Sequence, residues 1–120
     1  MEITRQVIVL DAADLDAVSR FWADVLGGEV AADEDWHGIL IDGVEQLAVQ
    51  HVPDHRPPDW PDGAPQQMHL DFYVADVAGA HAHVMDCGAR LLQDAPDRDA
   101  ERGFIVYADP AGHPFCLCWG

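Results

Sequence analysis

At 120 residues, with 49% hydrophobic and 23% charged residues, the chain is long enough for one domain with a buried core and too apolar to be disordered. Its acids number 22 against 6 arginines and no lysine, for a net charge of −16, which repels nucleic acid and anionic membranes and removes both from the expected partners. No apolar run approaches the ~20 residues of a membrane span, and "MEITRQVIVL" lacks the basic and long apolar regions of a secretory signal, so a soluble, cytoplasmic protein is expected.

In chain order, residues 4–10 end in an apolar, β-branched run and read as a strand. The segment "DAADLDAVSRFWADVLGG" follows, with Leu15, Val18, Phe21, Trp22, Val25 and Leu26 on one helical stripe, Asp14 as N-cap and Gly27 as the stop. Short strands are expected at 28–32, 36–42 and 46–52. Residues 53–67 hold five prolines without a period and read as a linker that no helix or central strand can use. The same order then begins again: a strand at 68–74, a helix "ADVAGAHAHVMDCGA" stopped by Gly88, and strands at 89–93, 103–108 and 113–119. Overlaying the two halves pairs Asp14 with Asp76 and Leu15 with Val77. The fold class is therefore α+β, two βαβββ modules within one domain: module one at 4–52, module two at 68–119. One module alone leaves a sheet face bare, so modules must pair, within a chain or between chains, and a homodimer is expected.

Cys116 and Cys118 sit two apart on a strand, about 6.5–7 Å by strand rise and at the far edge of disulfide geometry. With Cys87 they are read as free thiols. The strand "MHLDFYV" alternates, placing His69, Asp71 and Tyr73 on one face and Leu70, Phe72 and Val74 on the other. Three polar side chains on one face need water or a cavity. His81 and His83 point about 200° apart on a helix and cannot share an ion. His51 and His55 read as surface groups and His113 as a turn residue. Trp22 reads as core. Trp36 faces either a cavity or the core, and Trp60 is expected to cover a cavity mouth or the junction of the modules.

These modules, together with "DLDAVSRFWADVLGGEV", "PQQMHLDFYVADV" and "VYADPAGHPFCLCW", resemble the vicinal oxygen chelate superfamily. Its branches include glyoxalase I, extradiol dioxygenases, fosfomycin-resistance enzymes and bleomycin-binding proteins, and the match is to a glyoxalase-like subgroup common in actinobacteria. The resemblance implies curved mixed sheets around a ligand-holding cavity, with metal ligands at four positions. Those positions fall here on Val7, Ala48 (or Gln50 after a register slip), His69 and Cys116, where the family's glutamate would stand. Two of these four cannot bind metal. The expectation is therefore a metal-independent protein that binds or sequesters a small organic ligand, cationic or aromatic in character, through His69, Asp71, Tyr73, Gln50, Trp36 and Cys116.

The alternative is a lyase, isomerase or dioxygenase. His69 would then serve as general base, or with Cys116 would hold Zn, Ni, Fe or Mn. Asp71 is the next carboxylate along, although two ligands on one strand strain a compact geometry. A cysteine nucleophile at 116 served by His69, or an accessory domain with a vestigial cavity, are the further possibilities.

Overall fold

Strand, helix and three strands follow one another twice along the chain, as the repeated sequence pattern predicts. The computed structural model describes residues 1–120 and divides them into two units, Met1–His55 and Arg56–Gly120.

In the first unit, β1 (Ile8–Ala12) leads into α1 (Leu15–Leu26), then β2 (Glu29–Ala32), β3 (Trp36–Ile41) and β4 (Val44–His51). The strands form one sheet in the order β1-β4-β3-β2, with β1 parallel to β4 and the other pairs antiparallel. The Asp14 carboxylate accepts from the Ala17 N–H at 3.1 Å to start α1, and Gly27 ends it in the left-handed conformation. Asp42 and Gly43, both at positive φ, make the two-residue hairpin between β3 and β4. Helix α1 buries Val18, Phe21 and Trp22 together with Ile39, Leu47 and Val49 of the sheet. His37, buried on that same face, hydrogen-bonds the Ser19 hydroxyl at 2.8 Å, so a polar residue inside this core has a partner.

The second unit repeats the plan with β5 (Leu70–Tyr73), α2 (Val77–Asp86), β6 (Arg90–Gln93), β7 (Gly103–Ala108) and β8 (Pro114–Trp119), in the order β5-β8-β7-β6. Asp76 caps α2 by accepting from Gly79 N–H at 3.0 Å. Helix α2 buries Val84 over Phe115 and Tyr107, which stack at 5.4 Å between ring centres, with Phe72 edge-on to Phe115. Half-buried His81 on α2 hydrogen-bonds the Tyr107 hydroxyl at 2.8 Å. No helix or strand occurs between His51 and Leu70, in keeping with the prolines there.

The β7–β8 hairpin is closed by Asp109–His113. Buried Asp109 accepts from the backbone N–H groups of Ala111 and His113, both at 2.9 Å, and its other oxygen meets His113 Nδ1 at 2.7 Å. Gly112 sits at φ 88°, where a Cβ would also run into Pro57. Asp109→Ala leaves the two backbone donors without their acceptor. It is expected to lower stability by about 2–4 kcal/mol in urea denaturation, with Asp109→Asn costing less because one oxygen remains.

Burial holds the Tyr107 phenol protonated, pushing its pKa up to about 12. The folded state therefore keeps a proton that the unfolded chain releases near pH 10, and the stability this supplies is lost as pH rises toward 12. Between pH 9 and 11.5 the wild type should lose about 2 kcal/mol more than Tyr107→Phe. Equal slopes for the two proteins would contradict this account.

Candidate functional site

The strand alternation that sends Leu70 and Phe72 under α2 sends His69, Asp71 and Tyr73 to the opposite, open face of the second sheet. Strand β8 lies beside β5 in parallel register, with Asp71 opposite Cys116 and Tyr73 opposite Cys118. On the far side of β8, Val106 pairs with Cys116 and Phe104 with Cys118. All of these side chains share one face.

Over this face opens a cavity of about 650 Å³, within the size range of small-molecule sites. His69, Asp71, Cys116 and Cys118 form its polar and sulfur-bearing part, and Tyr73, Phe104 and Trp119 its aromatic part. Trp119 is fixed by donating its indole N–H to the Ala100 carbonyl at 2.9 Å, and its ring lies where a Cβ on residue 103 would otherwise be. Glycine at 103 is what admits that ring. Trp60 and Leu92 pack against the small cluster of Val106, Cys116 and Cys118.

His69 Nε2 stands 3.3 Å from Asp71 Oδ1, with both side chains close to half exposed. Nitrogen, carboxylate oxygen and Cys116 sulfur all lie within 4.8 Å of one another. Both donors come from one strand, two residues apart. His69 precedes the first residue of β5, and its Nε2 still approaches the Asp71 carboxylate.

Burial, followed by the S–H donated to the Asp71 carboxylate, pushes the Cys116 thiol up to about 12. The Cys118 thiol is raised by burial and by the Asp71 charge. A thiol raised in this way is a poor standing nucleophile.

Four of the expected site residues, His69, Asp71, Tyr73 and Cys116, thus come together. Trp36 and Gln50 belong to the first unit, where they are cross-strand partners on β3 and β4. Trp36 donates its indole N–H to Glu45 Oε1 at 3.0 Å, and Glu45 also pairs with Arg5 across Gly38. In the first unit, Val7 stands as far before the cap Asp14 as His69 stands before the cap Asp76, and Val9 answers to Asp71 in the same way. Val9 pairs with Ala48 as Asp71 pairs with Cys116. One module therefore presents Val7, Val9 and Ala48 where the other presents His69, Asp71 and Cys116.

His69 is the one histidine lining the cavity. His51 faces Asp35 at 3.7 Å, and His113 is held in its turn. Phe104, Trp119, Glu101 and Arg102 were not foreseen. The alternation of Phe104 and Val106 in "GFIVYA" carried the signal for Phe104, but only the pairing with β8 says which face it takes.

A family model described as "Glyoxalase-like domain" matches residues 7–118. The chain belongs to the glyoxalase-like domain family. Solved structures agree on the fold of this vicinal oxygen chelate group. The fosfomycin resistance protein FosX from Listeria monocytogenes is similar at TM-score 0.72 and 18% identity, covering 100% of this chain and 95% of that one. A glyoxalase/bleomycin resistance protein/dioxygenase family enzyme from Burkholderia phytofirmans PsJN gives 0.69 and 14%, with coverage of 94% and 95%. A glyoxalase-related enzyme from Fulvimarina pelagi gives 0.67 and 23%, with 98% and 89%. A comparison with curated proteins returns no match. At these identities the likeness concerns fold, two modules of mixed four-stranded sheet with a helix each.

Burial separates the thiols of this glyoxalase-like chain. Cys87 is partly exposed, while Cys116 and Cys118 are each 7% exposed. At pH 8, Ellman's reagent should modify one thiol quickly and two slowly, with all three reacting at once in denaturant. Rapid loss of two or three thiols in the native protein would contradict the description of the cavity floor.

Proposed function

We propose that this glyoxalase-like protein binds a small organic molecule in the cavity of the second unit, without needing a metal. The observation that carries the reading is the cavity of about 650 Å³, in which the His69–Asp71 pair and three aromatic side chains face one space. Such a mixture of a polar, directional floor and apolar rings suits a ligand with one hydrogen-bonding end and one flat or apolar end. His69 and Asp71 orient the polar end, while Tyr73, Phe104 and Trp119 cover the rest. Metal independence is supported by valine and alanine at positions 7 and 48, two of the four positions where the family places metal ligands. The proposal includes both modules working as one domain and as a homodimer in the cytoplasm.

A second reading is favoured by one specific feature, the imidazole, carboxylate and thiol donors within 4.8 Å. That donor set fits the chemistry of zinc, and nickel, iron or manganese could also use parts of it. Bound there, a divalent ion would supply Lewis acidity to an oxygen of the ligand. His69, Asp71 and Cys116 would hold it, and the aromatic rim would exclude water. The chain would then be an enzyme of glyoxalase or dioxygenase type, or a lyase.

Elemental analysis of protein purified without added metal distinguishes the two. The first reading expects well under one equivalent of Zn, Ni, Fe or Mn. One equivalent that disappears in His69→Ala would sink metal independence. Ligand-observed NMR against a set of small aromatic and polar fragments tests binding itself. At least one fragment is expected to bind wild type and to be lost in the Asp71→Ala/Tyr73→Ala double variant. Binding indifferent to both changes would reject this cavity as the site.

A further inference from the structure

Two of the largest exposed side chains in the second unit, Tyr73 at 75% and Phe104 at 51%, are not scattered. Both pair with Cys118, one from β5 and one from β7. They therefore stand on the same face, in one row, separated by a single strand that carries a small side chain at that point. Strands are spaced about 4.8 Å apart, so the two residues are roughly 9.6 Å apart across β8. Two stacked or edge-to-face aromatic contacts, each about 4.5–7 Å between ring centres, fit one further ring between them.

The next row along the same face has a different chemistry. Asp71 lies two residues before Tyr73, about 6.6 Å along the strand, and borders the same cavity. The other charged residues lining the cavity, Glu101 and Arg102, offset one another. Asp71 therefore leaves an acidic end beside the aromatic row, and the chain's net charge of −16 adds to the same sign.

Building on the ligand-binding reading of this cavity, we infer that Tyr73 and Phe104 form a slot for a planar aromatic ring, with Cys118 as its floor. Asp71 receives a protonated amine carried about 6–7 Å from that ring. The ligand class is an aryl-alkylamine or a similarly proportioned flat cation. Cys118 is the residue that sets specificity. Its side chain is short enough to leave the row open, and a larger one would fill the space the ring needs. His69, 3.3 Å from Asp71, lies on the far side of the acidic end and is available to a second polar group of the ligand.

Isothermal titration calorimetry with three probes tests this: tryptamine, indole-3-acetate and n-hexylamine. Tryptamine is expected to bind with one site and at least about tenfold more tightly than either of the others, since only it satisfies both slot and carboxylate. Asp71→Asn should bring tryptamine and indole-3-acetate to within about threefold of each other. Cys118→Leu should weaken tryptamine by about tenfold or more, while Cys118→Ala, which keeps the floor low, retains most of the affinity.

A charge preference that survives Asp71→Asn, or tryptamine affinity unchanged by Cys118→Leu with the variant's melting temperature intact, overturns the inference. Preferential binding of indole-3-acetate or n-hexylamine, lost in Tyr73→Ala, overturns the inference and leaves the cavity as the ligand site. Failure of all three probes overturns it as well. If sedimentation then shows Tyr73→Ala converting a dimer to a monomer, the exposed pair is a contact between copies of the chain.

Discussion

The parallel pairing of β5 with β8 is the constraint on which the rest of the second unit depends. Because side chains alternate across a strand, placing Asp71 opposite Cys116 also settles where their neighbours go. Leu70, Phe72, Phe115 and Leu117 meet helix α2, and His69, Asp71, Tyr73, Cys116 and Cys118 meet the cavity. A slip of β5 by one residue would turn Asp71 beneath α2 and send Phe72 to the cavity face. Two local devices hold the register. Asp76 starts the helix directly after β5, and the Asp109–His113 turn, with its buried carboxylate bonded to two backbone donors, begins β8 at Pro114.

The same register explains the unusual state of the sulfur atoms. Cys116 is buried and directly opposite a carboxylate, so the proton is held by both desolvation and hydrogen bonding. A thiol in that setting is a hydrogen-bond donor and a small wall residue rather than a nucleophile. Cys118, one alternation further, contributes shortness. In both cases the structural consequence follows from position in the ladder more than from cysteine's reactivity.

The two modules share a plan but divide its uses. At corresponding positions the first carries Val7, Val9 and Ala48, and its open face is organised around Glu45, which bonds Trp36 and pairs with Arg5 over the space left by Gly38. The second keeps its polar groups at those positions and adds aromatic ones beside them. A repeated fold thus supports one chemically furnished sheet and one whose polar residues satisfy each other. Much of this was legible beforehand. The doubled βαβββ order, the caps Asp14 and Asp76, and the His69–Asp71–Tyr73 face follow from period and capping chemistry, which are local. The strand expected from residue 4 begins only at Ile8, where pairing to β4 starts, because a strand's end is decided by its partner.

What could not be read locally is instructive in its particulars. The helix pattern places His81 no further in than a rim, and only the fold brings the hydroxyl of Tyr107, far along the chain, within its reach. Gln50 is expected beside His69 from family position and Trp36 from its place at the start of a strand, and it is the first sheet that makes the two cross-strand partners. Residues close in sequence, through alternation, helical period and turn chemistry, determined the elements, the repeat, the acidic surface and the polar face of β5. The tertiary structure alone decided that Asp71 joins His69 and Cys116, that both thiols stay protonated, and that Tyr73 and Phe104 flank Cys118. Each of those depends on which strand lies beside which and in what register, and hydrogen-bonded pairing between distant segments is information that no single strand carries.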